Sequence, residues 1–280
     1  MARRLVTLTA LIAVTVFGCA RPSGRIRVVA STTLISAIVQ AVGGDRFAIT
    51  TIAPAGLCPG HFDLKPSDVT AANNARLILN HGWEAWYPAL EKAIIPPGPR
   101  RVTLATSGNW MIPGLQKQAA AEIAALLMEL DTARADTYRL AAARYQADVD
   151  SAAAAARALL TGKELPAVIA ADQQAPFLEW LGFRVVATYG RAEDFTAQEL
   201  TRLARVATDS GVKLVVDNLQ SGPDTGKPLA EGFGAKHVTL TNFPLQGSYR
   251  RSLLDNASAL AQALRTGAGD SGLGVRARNE

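Results

Sequence analysis

Two runs of alternating strand and helix signals, over residues 26–110 and 167–264, are separated by a stretch over 113–160 that reads as helix throughout and is rich in Ala, Leu, Glu and Arg. Strands alternating with helices build parallel sheets covered by helices on both faces. A long helical insert between two such runs holds them apart as separate lobes. Asp131-Thr132 divides the insert into two helices. In the second, Tyr138, Ala142, Tyr145, Val149 and Ala153 recur at helical spacing, and about 30 residues at 1.5 Å each give roughly 45 Å, more than one small domain requires. The fold class expected is α/β: two doubly wound β/α lobes joined by a long interdomain helix, with a ligand cleft between them where the strand C-termini face each other.

In detail, apolar runs predict strands over 26–30, 47–52, 76–80 and 101–105 in the first lobe and over 167–171, 184–187, 213–216 and 237–240 in the second. Helices are expected over 34–42, 69–75, 84–93, 175–181, 197–210, 229–233 and 249–264. The division is then 26–130 for the first lobe, 131–162 for the linking helix and 163–266 for the second lobe, followed by a polar, flexible tail over 267–280.

Residues 1–18 carry an export signal. Arg3 and Arg4 form a charged start, 5–16 an apolar run too short to span a bilayer, and Val16-Phe17-Gly18-Cys19 a small-residue cleavage site. The last four residues resemble a bacterial lipobox, which implies lipidation of Cys19 and a tether over 19–25 holding the protein to an envelope membrane. The mature chain would face the periplasm or the exterior. Once Cys19 is set aside, Cys58 is the only other cysteine, so no disulfide within the mature chain is possible. An unpaired exported thiol calls for burial or metal ligation as its explanation. Of the formal charge of +5, the leader carries two, leaving +3 spread along the chain without interleaved aromatics. That distribution argues against a nucleic-acid partner.

The most chemically pointed segment is the turn-rich loop over 53–68, which carries Cys58-Pro59-Gly60-His61 between a strand end and a helix that Ser67 or Asp68 can cap. Pro54 and Pro59 restrict the backbone around the pair. Sulfur with imidazole suits zinc and its neighbours rather than magnesium or calcium. Polar residues immediately after the other expected strands are His81, Asn109, Asp172, Asp217 with Asn218, and Asn242. His237 opens a strand at the opposite end and reads as a surface residue. The metal ligands expected are His61, with His81, Cys58 and Asp172 as companions. An unperturbed imidazole would lose the ion to protons below about pH 6.

Val28-Val29-Ala30-Ser31-Thr32 through Gly43-Gly44-Asp45, Pro54-x-Gly56 through His61, Pro66-Ser67-Asp68, Ala75-x-Leu77-Ile78, Leu130-Asp131 through Tyr138, and Tyr249 with Asn256 together resemble the zinc/manganese solute-binding lipoproteins that feed ABC importers. The resemblance covers nearly all of the mature chain. It implies a lipid-anchored monomer that binds zinc or manganese as transported ligand and delivers it to an ABC permease and its ATPase subunit, with His61 as first ligand. It also marks departures: Asn109 stands before Trp110 where that family has its second His, the third His would fall near Asp172, and the final Asp near Thr241-Asn242. The implied chain is a divergent member with a rebuilt site.

Three rival readings are open. A small organic solute or metal chelate in the same cleft would use Trp83, Trp110 and Phe243. An exported cysteine hydrolase would need Cys58 beside a base, but no oxyanion-hole signature accompanies it. The loop over 222–228, Gly-Pro-Asp-Thr-Gly-Lys-Pro, looks like a phosphate loop but is one residue short and ends in Pro228 where a hydroxyl would hold magnesium. The chain is therefore expected to be a binding protein and not an enzyme.

Overall fold

The structure, a computed structural model, describes residues 24–245, 248–265 and 273–274. The leader, the lipobox with Cys19 and most of the tether lie outside the described residues. Among those described, no helix is long and apolar enough to cross a membrane.

The first lobe is built on β1 (Ile26–Ala30), β2 (Phe47–Thr51), β3 (Leu77–Asn80) and β4 (Arg100–Thr103), all parallel in the order β2-β1-β3-β4. Strand alternation divides its apolar residues between two faces. Val28, Ala30, Leu77 and Leu79 pack under α1 (Thr33–Gly43), α4 (Pro113–Leu130) and α5 (Ala135–Ala158). Val29 and Ile78 pack under α2 (Pro66–Asn73) and α3 (Tyr87–Lys92), where Ala72, Trp86 and Leu90 meet them. The loop helix starts earlier than its polar residues suggest. Pro66 takes the first helical position and Asp68, three residues past the cap, accepts a 2.8 Å bond from the Lys65 backbone N–H, so Asp68 serves the cap from inside the helix.

The second lobe repeats the plan with β5 (Ala167–Ala171), β6 (Arg184–Tyr189), β7 (Leu214–Asn218) and β8 (Lys236–Leu240), joined by a two-residue β9 (Leu273–Gly274), in the parallel order β6-β5-β7-β8-β9. That last pairing falls within the segment expected to be an unpaired tail. Val168, Ala170, Val216 and Leu240 face α5, α6 (Ala175–Leu181) and α9 (Tyr249–Ala263). Ile169 and Val215 face α7 (Ala197–Ser210) and α8 (Lys227–Phe233).

The helix between the lobes is shorter than the expected 131–162. It has 24 residues, about 36 Å at 1.5 Å per residue. A single tight turn, Thr132–Arg134, takes up the start, and the chain leaves the helix after Ala158 towards Gly162, whose φ is +73°. Along it, Tyr138 and Ala142 belong to the first lobe's core, and Val149, Ala152 and Ala156 to the second's. Tyr145 packs against both, its hydroxyl bonded to Gln116 at 2.7 Å.

Candidate functional site

The C-terminal ends of both sheets open onto one cavity of about 380 Å³. From the first lobe, the loop after β2 lends Cys58, Pro59 and Gly60, the turn after β3 lends His81 and Trp83, and the loop after β4 lends Asn109 and Trp110. From the second, Gln173 follows β5, Arg191 follows β6, Asn218 ends β7 with Gln220 and Ser221 beyond it, and Asn242 and Phe243 follow β8. These segments all follow the C-terminal ends of parallel strands, directly after β3, β5, β7 and β8 and several residues into the loops after β2 and β4.

His81 is held by its own turn. Gly82, at φ +88° and with Thr103 Cγ2 2.7 Å from where a Cβ would stand, bends the chain so that the buried Glu84 carboxylate accepts the backbone N–H groups of His81 and Gly82, each at 2.9 Å. The imidazole stacks on Trp83 at 5.0 Å and meets the edge of Trp110 at 4.5 Å, and its Nε2 is 2.8 Å from Thr32 Oγ1. Burial pushes its pKa down to about 4, against the opposing pull of Glu84. The ring is therefore neutral down to a lower pH than the unperturbed value suggested.

Cys58 Sγ accepts a 3.1 Å bond from Arg191 Nη2 across the cleft. Among the described residues, further bonds between the lobes run from Gln220 Nε2 to the Ala55 carbonyl at 2.8 Å, from Asn109 Nδ2 to the Gln173 carbonyl at 2.8 Å and to Asn242 Oδ1 at 3.2 Å, and, buried away from the cavity lining, from Tyr249 Oη to the Met111 carbonyl at 2.8 Å.

Of the four ligands expected from the sequence, the structure brings Cys58 and His81 to the cavity. His61 ends the turn Pro59–His61, whose first two residues line the wall; its side chain lies outside the described set. Asp172 is exposed and absent from the lining. Its backbone N–H still bonds the Tyr189 carbonyl at 3.0 Å as a continuation of the sheet, so the turn begins one residue later and Gln173 is the side that reaches the cavity. Among the described residues no group of three or more His, Cys, Asp and Glu side chains stands where it could hold a metal ion.

Asp217 is likewise placed away from the cleft. Strand alternation sends Asn218 to the cavity and Asp217 to the other face, where it is fully buried and accepts Tyr189 Oη at 2.6 Å, the Gly226 N–H at 2.9 Å and His237 Nε2 at 2.6 Å. His237 is thus a carboxylate partner and not a surface residue. The glycine-rich loop that looked like a phosphate site folds around the same carboxylate through Gly226. Among the lining residues that escaped the sequence reading are Arg191 and Gln220. Arg191 was missed because β6 runs two residues past its expected end, to Tyr189, and Gln220 because it lies two residues beyond the end of β7.

The family model described as zinc-uptake complex component A, periplasmic, matches residues 28–267, from the first strand to beyond the last helix. The chain belongs to that family. Among curated relatives, the iron ABC transporter substrate-binding lipoprotein MtsA of Streptococcus pyogenes serotype M1 is 32% identical over 76 residues, 25% of this chain and 24% of that protein. The metal ABC transporter substrate-binding lipoprotein SsaB of Streptococcus sanguinis is 30% identical over 98 residues, 31% of this chain and 32% of that protein. The chain thus spans a quarter to a third of the length of these curated relatives. Among solved structures, a zinc-bound deletion mutant of ZnuA superposes with TM-score 0.73 at 21% identity, covering 87% of this chain and 100% of that one. The manganese-bound periplasmic metal binding protein from Candidatus Liberibacter asiaticus gives 0.74 at 16% identity over 86% of this chain and 100% of its own. These likenesses establish the two-lobe fold.

Proposed function

We propose that this chain is the extracytoplasmic solute-binding component of an ABC importer, that it captures a divalent transition metal, zinc or manganese, in the cavity between its lobes, and that it delivers this cargo to a membrane permease driven by an ATPase subunit. The observation that carries the reading is the cavity formed by the strand ends of both sheets in a chain matched to a metal-uptake family over 28–267. The curated relatives named as iron and metal transporter lipoproteins support the class of cargo. On the protein side His81 and Cys58, with His61 from the adjoining turn, are the donors proposed; the exposed Asp172 is a weaker one. Neutral imidazole and sulfur are suitable ligands for such ions. Deleting the chain from its host should lower uptake of labelled zinc or manganese at limiting supply, and restoring it should recover uptake. Unchanged uptake of both ions would sink the proposal.

Export and anchoring follow from the sequence before residue 24. A lipid on Cys19 would hold a monomeric receptor beside its permease. Replacing Cys19 with Ala is expected to move the protein from the membrane fraction to the soluble one, and intact mass should show the loss of acyl chains. A wild-type mass without lipid would remove the anchor from the reading.

A further inference from the structure

We propose, resting on the reading of this chain as a metal importer's receptor, that the cavity takes its metal as an anionic chelate, an ion wrapped by a small organic polycarboxylate, and not as a bare ion. The wall supports this through charge, oxygen donors already engaged in holding it together, aromatic surface and size.

Among the described residues that line the cavity there is no Asp or Glu, and the one formally charged side chain is Arg191. Arg191 keeps company with Cys58 Sγ at 3.1 Å and with the exposed Glu193 at 3.8 Å, and its backbone N–H with Asp194 Oδ2 at 2.9 Å. A bare divalent cation entering here would face a guanidinium with no lining carboxylate to balance it, and a desolvated charge without a counter-charge is strongly disfavoured. An anionic ligand reverses the sign. The planar fork of an Arg side chain is suited to carboxylate oxygens.

Hard oxygen donors are present in the wall but already engaged. The five amide side chains each have their carbonyl oxygen accepting a bond: Asn109 from the Met111 N–H at 2.8 Å, Gln173 from Ser221 Oγ at 3.3 Å, Asn218 from Gln174 Nε2 at 3.1 Å, Gln220 from the Asn242 N–H at 3.1 Å, and Asn242 from Asn109 Nδ2 at 3.2 Å. These amides fasten the wall together. Each oxygen keeps a second lone pair, but the bond it already accepts fixes its direction within the wall, and the oxygens that complete the metal's coordination arrive with the cargo.

Size and surface agree. A cavity of about 380 Å³ lies within the roughly 300–1,000 Å³ range of small-molecule sites. Trp83 lines the cavity while its residue is 51% exposed, stacked on His81, and Trp110 and Phe243 complete an apolar side. A carbon skeleton gains from that surface and an ion does not.

The test is calorimetry on the full mature chain with three probes: zinc sulfate, sodium citrate and equimolar zinc citrate. Zinc citrate is expected to bind about tenfold or more tighter than either component alone, and Arg191→Gln to weaken it by about tenfold or more, a larger factor than any change it makes to zinc sulfate, as loss of a charge-assisted hydrogen bond would. Trp83→Ala, at an exposed edge where folding is not at stake, should also weaken zinc citrate and remove the quench of tryptophan fluorescence that accompanies it. Zinc sulfate binding as tightly as zinc citrate, or citrate stripping zinc from the protein, would overturn the chelate and leave the metal-import reading intact. Citrate alone binding as well as zinc citrate would overturn both. Failure of all three probes to bind overturns the polycarboxylate chelate, with the uptake measurement left to judge import separately.

Discussion

His81 shows how a buried ring couples the site to stability. The unfolded chain protonates an imidazole near 6.5, whereas burial between Trp83 and Trp110 lowers the folded value to about 4. Between those two values the unfolded chain holds the proton and the folded chain does not, so stability is full above the window, falls as pH drops through it, and levels off below it. At 1.36 kcal/mol per unit the loss is at most about 3 kcal/mol, less whatever solvent reaches the ring. Denaturant unfolding at pH 7 and pH 4.5 should show that loss in the parent and a flatter response in His81→Phe, which keeps the stacking and removes the titration. Equal losses in both proteins would mean that the ring is solvated. Asp131 acts in a lower window. Burial opposes its ionisation, but the Arg46 guanidinium at 2.9 Å and the Tyr138 hydroxyl at 2.8 Å outweigh that and hold its carboxyl below the ordinary range. Its contribution is present above the unfolded value and is lost as pH falls through the folded one. Asp131→Asn should cost about 2 kcal/mol at pH 7, a cost that shrinks as pH falls through the folded value, read as the difference between acid unfolding curves.

Among the elements, α5 decides whether the lobes behave as one body. Tyr138 and Val149 are buried in different cores eleven positions apart on one helix, so unfolding either lobe strips part of the surface that covers this helix. The parent should therefore melt in one calorimetric transition. Ala147 is exposed between the two core contacts; Ala147→Pro removes a helix hydrogen bond and kinks the rod at a cost of about 3 kcal/mol or more, and should split the melt into two transitions. A single transition with an unchanged midpoint would show that α5 carries no coupling. These elements were legible in the sequence because buried parallel strands read as unbroken apolar runs, as in Val28-Val29-Ala30 and Leu214-Val215-Val216, and because Pro113 and Gly182 punctuate helices at their ends. What local pattern could not give was the face on which each polar residue lands. Asp172, Asp217 and Asn218 all follow or end an apolar run, yet one is exposed, one is sealed behind the sheet and one lines the cavity. A one-residue shift in where a strand ends inverts the outcome, which is also why Arg191 was invisible until β6 was seen to reach Tyr189.

For the molecule as a whole, the bonds across the cleft bear on how open the two lobes stand before the proposed cargo arrives. Asn109 lies at the centre of them: its Nδ2 reaches both the Gln173 carbonyl and Asn242 Oδ1 on the other lobe, while its own Oδ1 is fixed by the Met111 N–H. Since α5 stays packed in both cores, opening must come from these loops parting and not from the helix melting. Asn109→Ala removes both interlobe bonds at about 1 kcal/mol each, which shifts an open–closed equilibrium by roughly thirtyfold. Arg191 to Cys58, Gln220 to Ala55 and Tyr249 to Met111 remain to resist it. The variant without cargo should then show a larger radius of gyration than the parent in X-ray scattering, and should compact on binding by more than the parent does, because cargo now supplies closure that the amide previously supplied. Its affinity for cargo should fall in proportion to the closed fraction lost, with the unfolding midpoint nearly unchanged since neither core is touched. Should the variant scatter as the parent does in both states, the amide bonds do not govern opening, and the contacts of α5 with the two cores must set the interlobe angle by themselves.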